Sequence, residues 1–155
     1  MSSRREQIKL SPEEVADFLA AEKVANVATI GRNGRPHLVP VWYLTDGKTI
    51  TTWTYQSAQK VANLRRLAQA TVLVEAGASY EELRGVSMEC DVEIVEDGER
   101  VAEIGAALTE RYSGSPEVAV AASQFVRAQA VKRVGLVFTP TRTVSWDHRK
   151  LGGTY

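Results

Sequence analysis

VANVATIGRNGRPHLVPVWYLTDGKTITTWTY, residues 24 to 55, is three apolar runs broken by two turn signals. Residues 24–31 read as a buried strand. Asn33-Gly34 inside RNGR (32–35) suits a two-residue hairpin turn with positive φ. PHLVPVWYL (36–44) is then the returning strand, TDGK (45–48) turns the chain again, and TITTWTY (49–55) is the third strand. Three strands joined this tightly predict an antiparallel meander. Pro40 has no N–H for a ladder, so its strand belongs at an edge or at an interruption.

The flanks fit the same picture. SPEEVADFLAAE (11–22) opens with a capping box, Ser11 and Glu14, with Pro12 at the first helical position. Val15, Phe18 and Leu19 follow at helical spacing. AQKVANLRRLA (58–68) is a second helix, with Val61, Leu64 and Leu67 on one side. ATVLVEAG (70–77) and GVSMECDVEIVED (85–97) are strands, the latter alternating through Val86, Met88, Cys90, Val92 and Ile94. Residues 98–112 and 115–130 read as two helices around SGSP. KRVGLVFTP (132–140) and TRTVSWD (141–147) read as two closing strands around a Thr-Pro-Thr turn. Six or seven strands, mostly hairpin-connected, with peripheral helices, predict a mainly β antiparallel barrel with α rather than a doubly wound parallel sheet. The 155 residues suffice for one domain, 1–155.

Composition narrows the function. Nineteen Lys plus Arg balance nineteen Asp plus Glu, so no overall field draws in nucleic acid or an anionic membrane. One cysteine, Cys90, and two histidines, His37 and His148, far apart in sequence, argue against a metal site. No apolar run approaches the roughly 20 residues that span a bilayer, and the N-terminus lacks the apolar core of a signal peptide. The expected compartment is the cytoplasm.

SAQKVANLRR (57–66) follows directly on a strand, and a helix that starts there leaves backbone N–H groups unpaired at its N-terminus. Those donors and the helix dipole favour an anion. Ser57 is placed as a cap or hydroxyl donor, and Lys60 sits one turn in. A solvated helix face has the same composition, and the glycines of a P-loop or dinucleotide fingerprint are missing. Thr52 and Thr54 share one strand face and Trp53 the other. VPVWY (39–43) offers an apolar floor beside an interrupted ladder.

The order ATIGRNGRPHLVPVWYL, turn, ITTWTY, SAQKVANLRR, ATVLVE resembles the split-barrel flavin-binding superfamily of pyridoxamine 5′-phosphate oxidase-like proteins. More narrowly, it is similar to the actinobacterial flavin/deazaflavin oxidoreductases. The resemblance covers roughly residues 12–97 and, more loosely, SWDHRK (145–150). It implies a six- to seven-stranded split β-barrel that pairs as a homodimer, with the cofactor cleft at the subunit junction. Lys60 matches the phosphate-binding lysine, Ser57 the hydroxyl of that loop, and Asn63 the amide that steadies the helix start. Ala58 and Gln59 stand where relatives often carry an arginine. Val39, Pro40, Val41 and Trp42 fall on the strand beside the cofactor ring, and Thr52, Trp53 and Thr54 on the strand along its sugar-alcohol chain. Arg84 falls in a segment supplied by the second subunit. The implied activity is hydride transfer between coenzyme F-420, favoured over FMN, and a planar conjugated small molecule. The alternative is a non-catalytic module that carries a flavin, deazaflavin or haem.

Overall fold

The computed structural model describes residues 2–153. After a short N-terminal helix α1 (Arg4–Gln7), helix α2 (Pro12–Ala21) starts on the expected capping box: Ser11 Oγ accepts from the Glu14 amide at 3.1 Å and Glu14 accepts from the Ser11 amide at 3.4 Å. The strands are β1 (Ala25–Ile30), β2 (Pro36–Val41), β3 (Leu44–Thr45), β4 (Ile50–Tyr55), β5 (Gln69–Ala76), β6 (Arg84–Val95) and β7 (Arg133–Asp147). All seven form one antiparallel sheet in the order β2-β1-β5-β6-β7-β4-β3.

That order corrects the meander. β1 and β2 form the expected hairpin, but the run 36–44 is not one strand. It breaks at Trp42-Tyr43, and β3 pairs with β4 at the far end of the sheet. Two residues therefore carry the chain from one end of a seven-stranded sheet to the other. Only a sheet curled on itself brings those ends together, so the architecture is a split barrel. The β1–β2 turn also differs from expectation. Gly31 and Arg35 close it (Gly31 N to Arg35 O, 2.9 Å), and Gly34, not Asn33, takes the positive φ of 78°. It is a three-residue loop with glycine in the left-handed position.

The barrel interior is filled by alternate residues of each strand: Val27, Val72, Val74, Val86, Met88, Leu136 and Phe138 are buried together with Ile50. α2 contributes Phe18 and Leu19, and helix α3 (Gln59–Arg66) contributes Val61 and Leu64. Cys90 lies in this core on β6, where burial pushes its thiol up to about 12. The two closing strands are a single long one. The β6–β7 register slips between Glu89 and Cys90, so that Pro140 faces Cys90, Arg142 faces Glu89 and Thr141 is the extra residue of a bulge. β4 ends its pairing at Phe138, so Pro140 leaves no ladder donor missing.

Helices α4 (Gly98–Ser113), α5 (Pro116–Ala121) and α6 (Ser123–Ala130) form the excursion between β6 and β7; the expected helix over 115–130 is two, divided at Ala122. α4 lies against Trp53 of β4, and Gly105 makes this possible because a Cβ there would overlap the indole. Its last turn closes the seam. The Tyr43 hydroxyl donates to Leu19 O at 2.6 Å, and the Tyr43 amide donates to the Tyr112 hydroxyl at 2.9 Å. Arg111 donates to Ala20 O (3.1 Å), Glu22 O (2.8 Å) and Tyr43 O, and so satisfies carbonyls at the end of α2, which has no basic residue in its own last turn. Burial pushes the Tyr43 phenol up to about 12.

At the C-terminal end of β7, Asp147 is buried and its amide donates to Ile8 O at 2.7 Å. Its carboxylate accepts from Arg149 Nη2 (2.7 Å), Nε (2.9 Å) and amide (3.0 Å).

Arg111→Ala leaves several carbonyls at the seam without their charged donor, and we expect a loss of about 2–3 kcal/mol. Urea denaturation would show this as a lower midpoint at unchanged slope. The hydrogen bonds from Arg149 hold the Asp147 carboxylate below its ordinary value. Its contribution is therefore full above about pH 4, the unfolded-state value, and is lost as pH falls through the depressed folded value. Asp147→Asn is expected to flatten the acid limb of the stability-against-pH curve and lower the plateau at neutral pH.

Candidate functional site

α3 begins one short turn after β4. Gln56 N donates to Lys132 O at 3.0 Å and Ala58 N to Tyr55 O at 3.0 Å, which fixes the corner. The cap is Ala58, not Ser57, and no side chain bonds the helix start. Ser57 is exposed in the turn. The first helical amides, Gln59 and Lys60, find no acceptor among the described residues, so an uncapped N-terminus points outward.

Lys60 is half-buried in this first turn, with no ion-pair partner among the described residues. Burial alone lowers its pKa. A partly desolvated ammonium without a counter-ion, beside free helix amides, is complementary to a phosphate. Asn63 is fully buried. Its Nδ2 donates to Thr29 Oγ1 on β1 at 3.0 Å, and its Oδ1 accepts from Gln59 Nε2 at 3.0 Å. It anchors the helix start to the sheet, with its amide oxygen and nitrogen both already hydrogen-bonded. Arg65 and Arg66 are also engaged elsewhere: Arg65 with Glu96 at 2.7 Å, Arg66 with Ile30 O.

β2 is a sheet edge, paired only with β1. Val39 and Val41 point to the inner face opposite Val27 and Ala25, whereas Leu38 and Pro40 face outward, Leu38 at 65% exposure. Pro40 thus sits where a missing N–H is tolerated. Trp42 follows at the seam, 59% exposed, with one ring face stacked on Tyr112 at 4.3 Å and 7° between planes. β2 and Trp42 offer the flat apolar surface that a planar ring requires.

The β4 residues lie differently from the reading of a hydroxyl-lined strand. Thr52 and Thr54 share a face as expected, but it is the buried one, and Thr52 Oγ1 donates to Trp42 O at 2.6 Å. That bond supports the seam instead of facing a ligand. Trp53 is covered by α4, with the Arg133 guanidinium 4.5 Å from its ring centre. Arg84 is remote. It begins β6, whereas α3 meets the sheet through Asn63 and Thr29, which lies across Ala70 from Cys90, six residues further along β6 and so about 20 Å on at strand rise. Arg84 packs over Phe18, with its Nε enclosed and unpartnered. One chain brings the first turn of α3, at Gln59, against the Pro36–His37 end of β2, with Ser57 and Lys60 on either side of Gln59 in sequence; Arg84 does not border that cleft.

Reasoning from the sequence missed Tyr112 and Arg111, which hold the Trp42 platform and lie about 70 residues downstream. Arg32 and Arg35 were legible only as turn residues, although they flank a cleft that also touches Gln59.

A family model described as pyridoxamine 5′-phosphate oxidase matches residues 11–147. Among solved structures, a conserved hypothetical protein from Mycobacterium tuberculosis is 40% identical with a TM-score of 0.87, covering 99% of this chain and 95% of that one. A protein called an F420 reductase shares the fold at 23% identity and TM-score 0.67, over 86% of this chain and 98% of that one. HutZ, a haem storage protein from Vibrio cholerae, does so at 18% identity and TM-score 0.65, over 89% and 96%. No curated protein matches.

Lys60→Met removes an unpaired, partly desolvated charge. A lysine whose folded pKa is depressed costs the native state stability while it is protonated, and the cost fades as pH rises through the depressed folded value and is gone above the unfolded one. At neutral pH the variant is expected to gain on the order of 0.5 kcal/mol of stability, read as a slightly higher urea midpoint at unchanged slope.

Proposed function

The chain belongs to the pyridoxamine 5′-phosphate oxidase family, and on that premise we propose that it is an oxidoreductase that holds F-420 or FMN by its phosphate at the start of α3 and its ring along β2. The observation that carries this reading is Lys60: half-buried, without a carboxylate, and beside free amides on a helix that no side chain caps. Pro40 and the open edge of β2 support the ring position, and the exposed face of Trp42 supports a planar conjugated substrate stacked nearby. The bound cofactor would supply the hydride chemistry. The protein's share is orientation. Val39 and Val41 fix the strand, Lys60 fixes the tail, and the Tyr112 ring holds Trp42 in plane. Thr52 supports Trp42 from behind through its carbonyl.

A homodimer completes this reading. The outer sheet face carries Pro40, Leu73 and Val144 in one register row, interleaved with Asn26 and Ser87, with Leu38 exposed in the next row, a mixed surface that a second copy would cover. Arg84, distant from Lys60 in its own chain, would then serve the cleft of the partner. The neighbouring haem storage protein supports a second use of the same cradle, carriage without turnover.

Titration of wild-type protein with FMN and with F-420, followed by reduced cofactor plus a quinone-like acceptor, separates these readings. Binding with turnover supports the oxidoreductase, tight binding without turnover supports the carrier, and binding of neither cofactor overturns both for these ligands. Lys60→Ala is expected to weaken binding by about 1.5–3 kcal/mol, the range for losing a charge-assisted hydrogen bond, with an unchanged circular dichroism spectrum.

A further inference from the structure

Between the β1–β2 turn and the first turn of α3 lies a cleft of about 470 Å³. Arg32, Arg35 and His37 line it on one side, Gln59 and Asn63 on the other, and among the described residues no carboxylate borders it. Neither arginine has an ion-pair partner among the described residues. The His37 Nδ1 is enclosed and has no hydrogen-bond partner among the described residues. An enclosed polar atom without a partner is uncommon and calls for one.

The walls are held rigidly. Asn33 Oδ1 accepts from the Arg35 amide at 3.1 Å, and Gly34 N donates to Gly31 O at 2.9 Å, so the turn presents its two arginines from a fixed loop. On the opposite wall, Gln59 and Asn63 are tied to each other and to Thr29. Fixed walls, two unpaired guanidinium groups and an unsatisfied imidazole nitrogen describe a receptor for negative charge.

We infer that this cleft is a second anion subsite, taking carboxylate or phosphate groups carried beyond the phosphate on the same ligand. This rests on the proposed placement of that phosphate at Lys60. Gln59 lines the cleft and immediately precedes Lys60 on the helix. β2 starts at the cleft with Pro36 and His37 and continues through Val39 and Val41, so the proposed ring strand and the phosphate-binding helix start both border the cleft. A ligand ending at its phosphate, such as FMN, leaves the cleft vacant. A ligand with a longer acidic tail, such as F-420, reaches it. The cleft therefore decides between the two candidates.

The double variant Arg32→Gln/Arg35→Gln tests this by isothermal titration of FMN and F-420 at low and high salt, with circular dichroism as the check on folding. F-420 affinity is expected to fall at least roughly tenfold and lose much of its salt dependence, with FMN affinity changed less than about twofold. Unchanged F-420 affinity, or an equal fall for both ligands, overturns the subsite. If wild type binds neither cofactor, the proposed function fails and the cleft is judged with tripolyphosphate alone, followed through the His37 ring resonances. A saturable shift in wild type that the double variant lacks supports an anion site; no shift, or the same shift in both, rejects it.

Discussion

The structure depends on closing a seven-stranded sheet across a two-residue gap. Trp42 and Tyr43 join β2 to β3 at opposite ends of the sheet, and a strand break at such a place strips backbone groups of their ladder partners. The last turn of α4 restores them. Tyr112 accepts from the Tyr43 amide, and Arg111 donates to the Tyr43 carbonyl and to the carbonyls that end α2. The guanidinium also lies 4.5 Å from the Tyr43 ring centre. Helix, seam and covering helix are thus one hydrogen-bonded unit, and the excursion α4–α6 has a structural purpose apart from any ligand.

The same closure sets out the candidate site. Because β2 ends at the seam, it remains an edge along its length, and its outward residues are available to a ligand or to a second chain. Because Asn63 is spent on Thr29 and Gln59, α3 stands at a fixed angle to β1 with its N-terminus free. Polar groups near the site divide accordingly. Thr52 and Asn63 are consumed in holding the frame, whereas Lys60 and the two turn arginines have no ion-pair partner among the described residues.

Much of the fold was legible in the sequence because it rests on local signals. The capping box of α2, the place of the β1–β2 turn (though not its length) and the alternation of β6 each rest on signals within a few residues. The strand order was not legible, because PHLVPVWYL has no turn residue at its break. The break is imposed from outside by Tyr112 and Arg111. The long bent β7 was hidden for the converse reason: Thr-Pro-Thr looks like a turn, but a bulge against Glu89 and Cys90 accommodates it in a continuous strand. At the site, the position of Lys60 could be anticipated from the strand-to-helix junction. The inward turn of Thr52 and Thr54 could not, since threonine suits either face of a strand and only the curl of the sheet decides which is inside. Ser57 has the right chemistry for a cap but stands one residue too early.

Cys90 carries a practical consequence. With its thiol pushed up to about 12 in the barrel core, the thiolate that reacts with alkylating or oxidising reagents is scarce at neutral pH, and the sulfur is shielded as well. The intact barrel is thereby kept out of mixed disulfides and thiol adducts. The rate at which a thiol-specific label attaches becomes a clock for how often the barrel opens, read from a single atom that the natural sequence already provides.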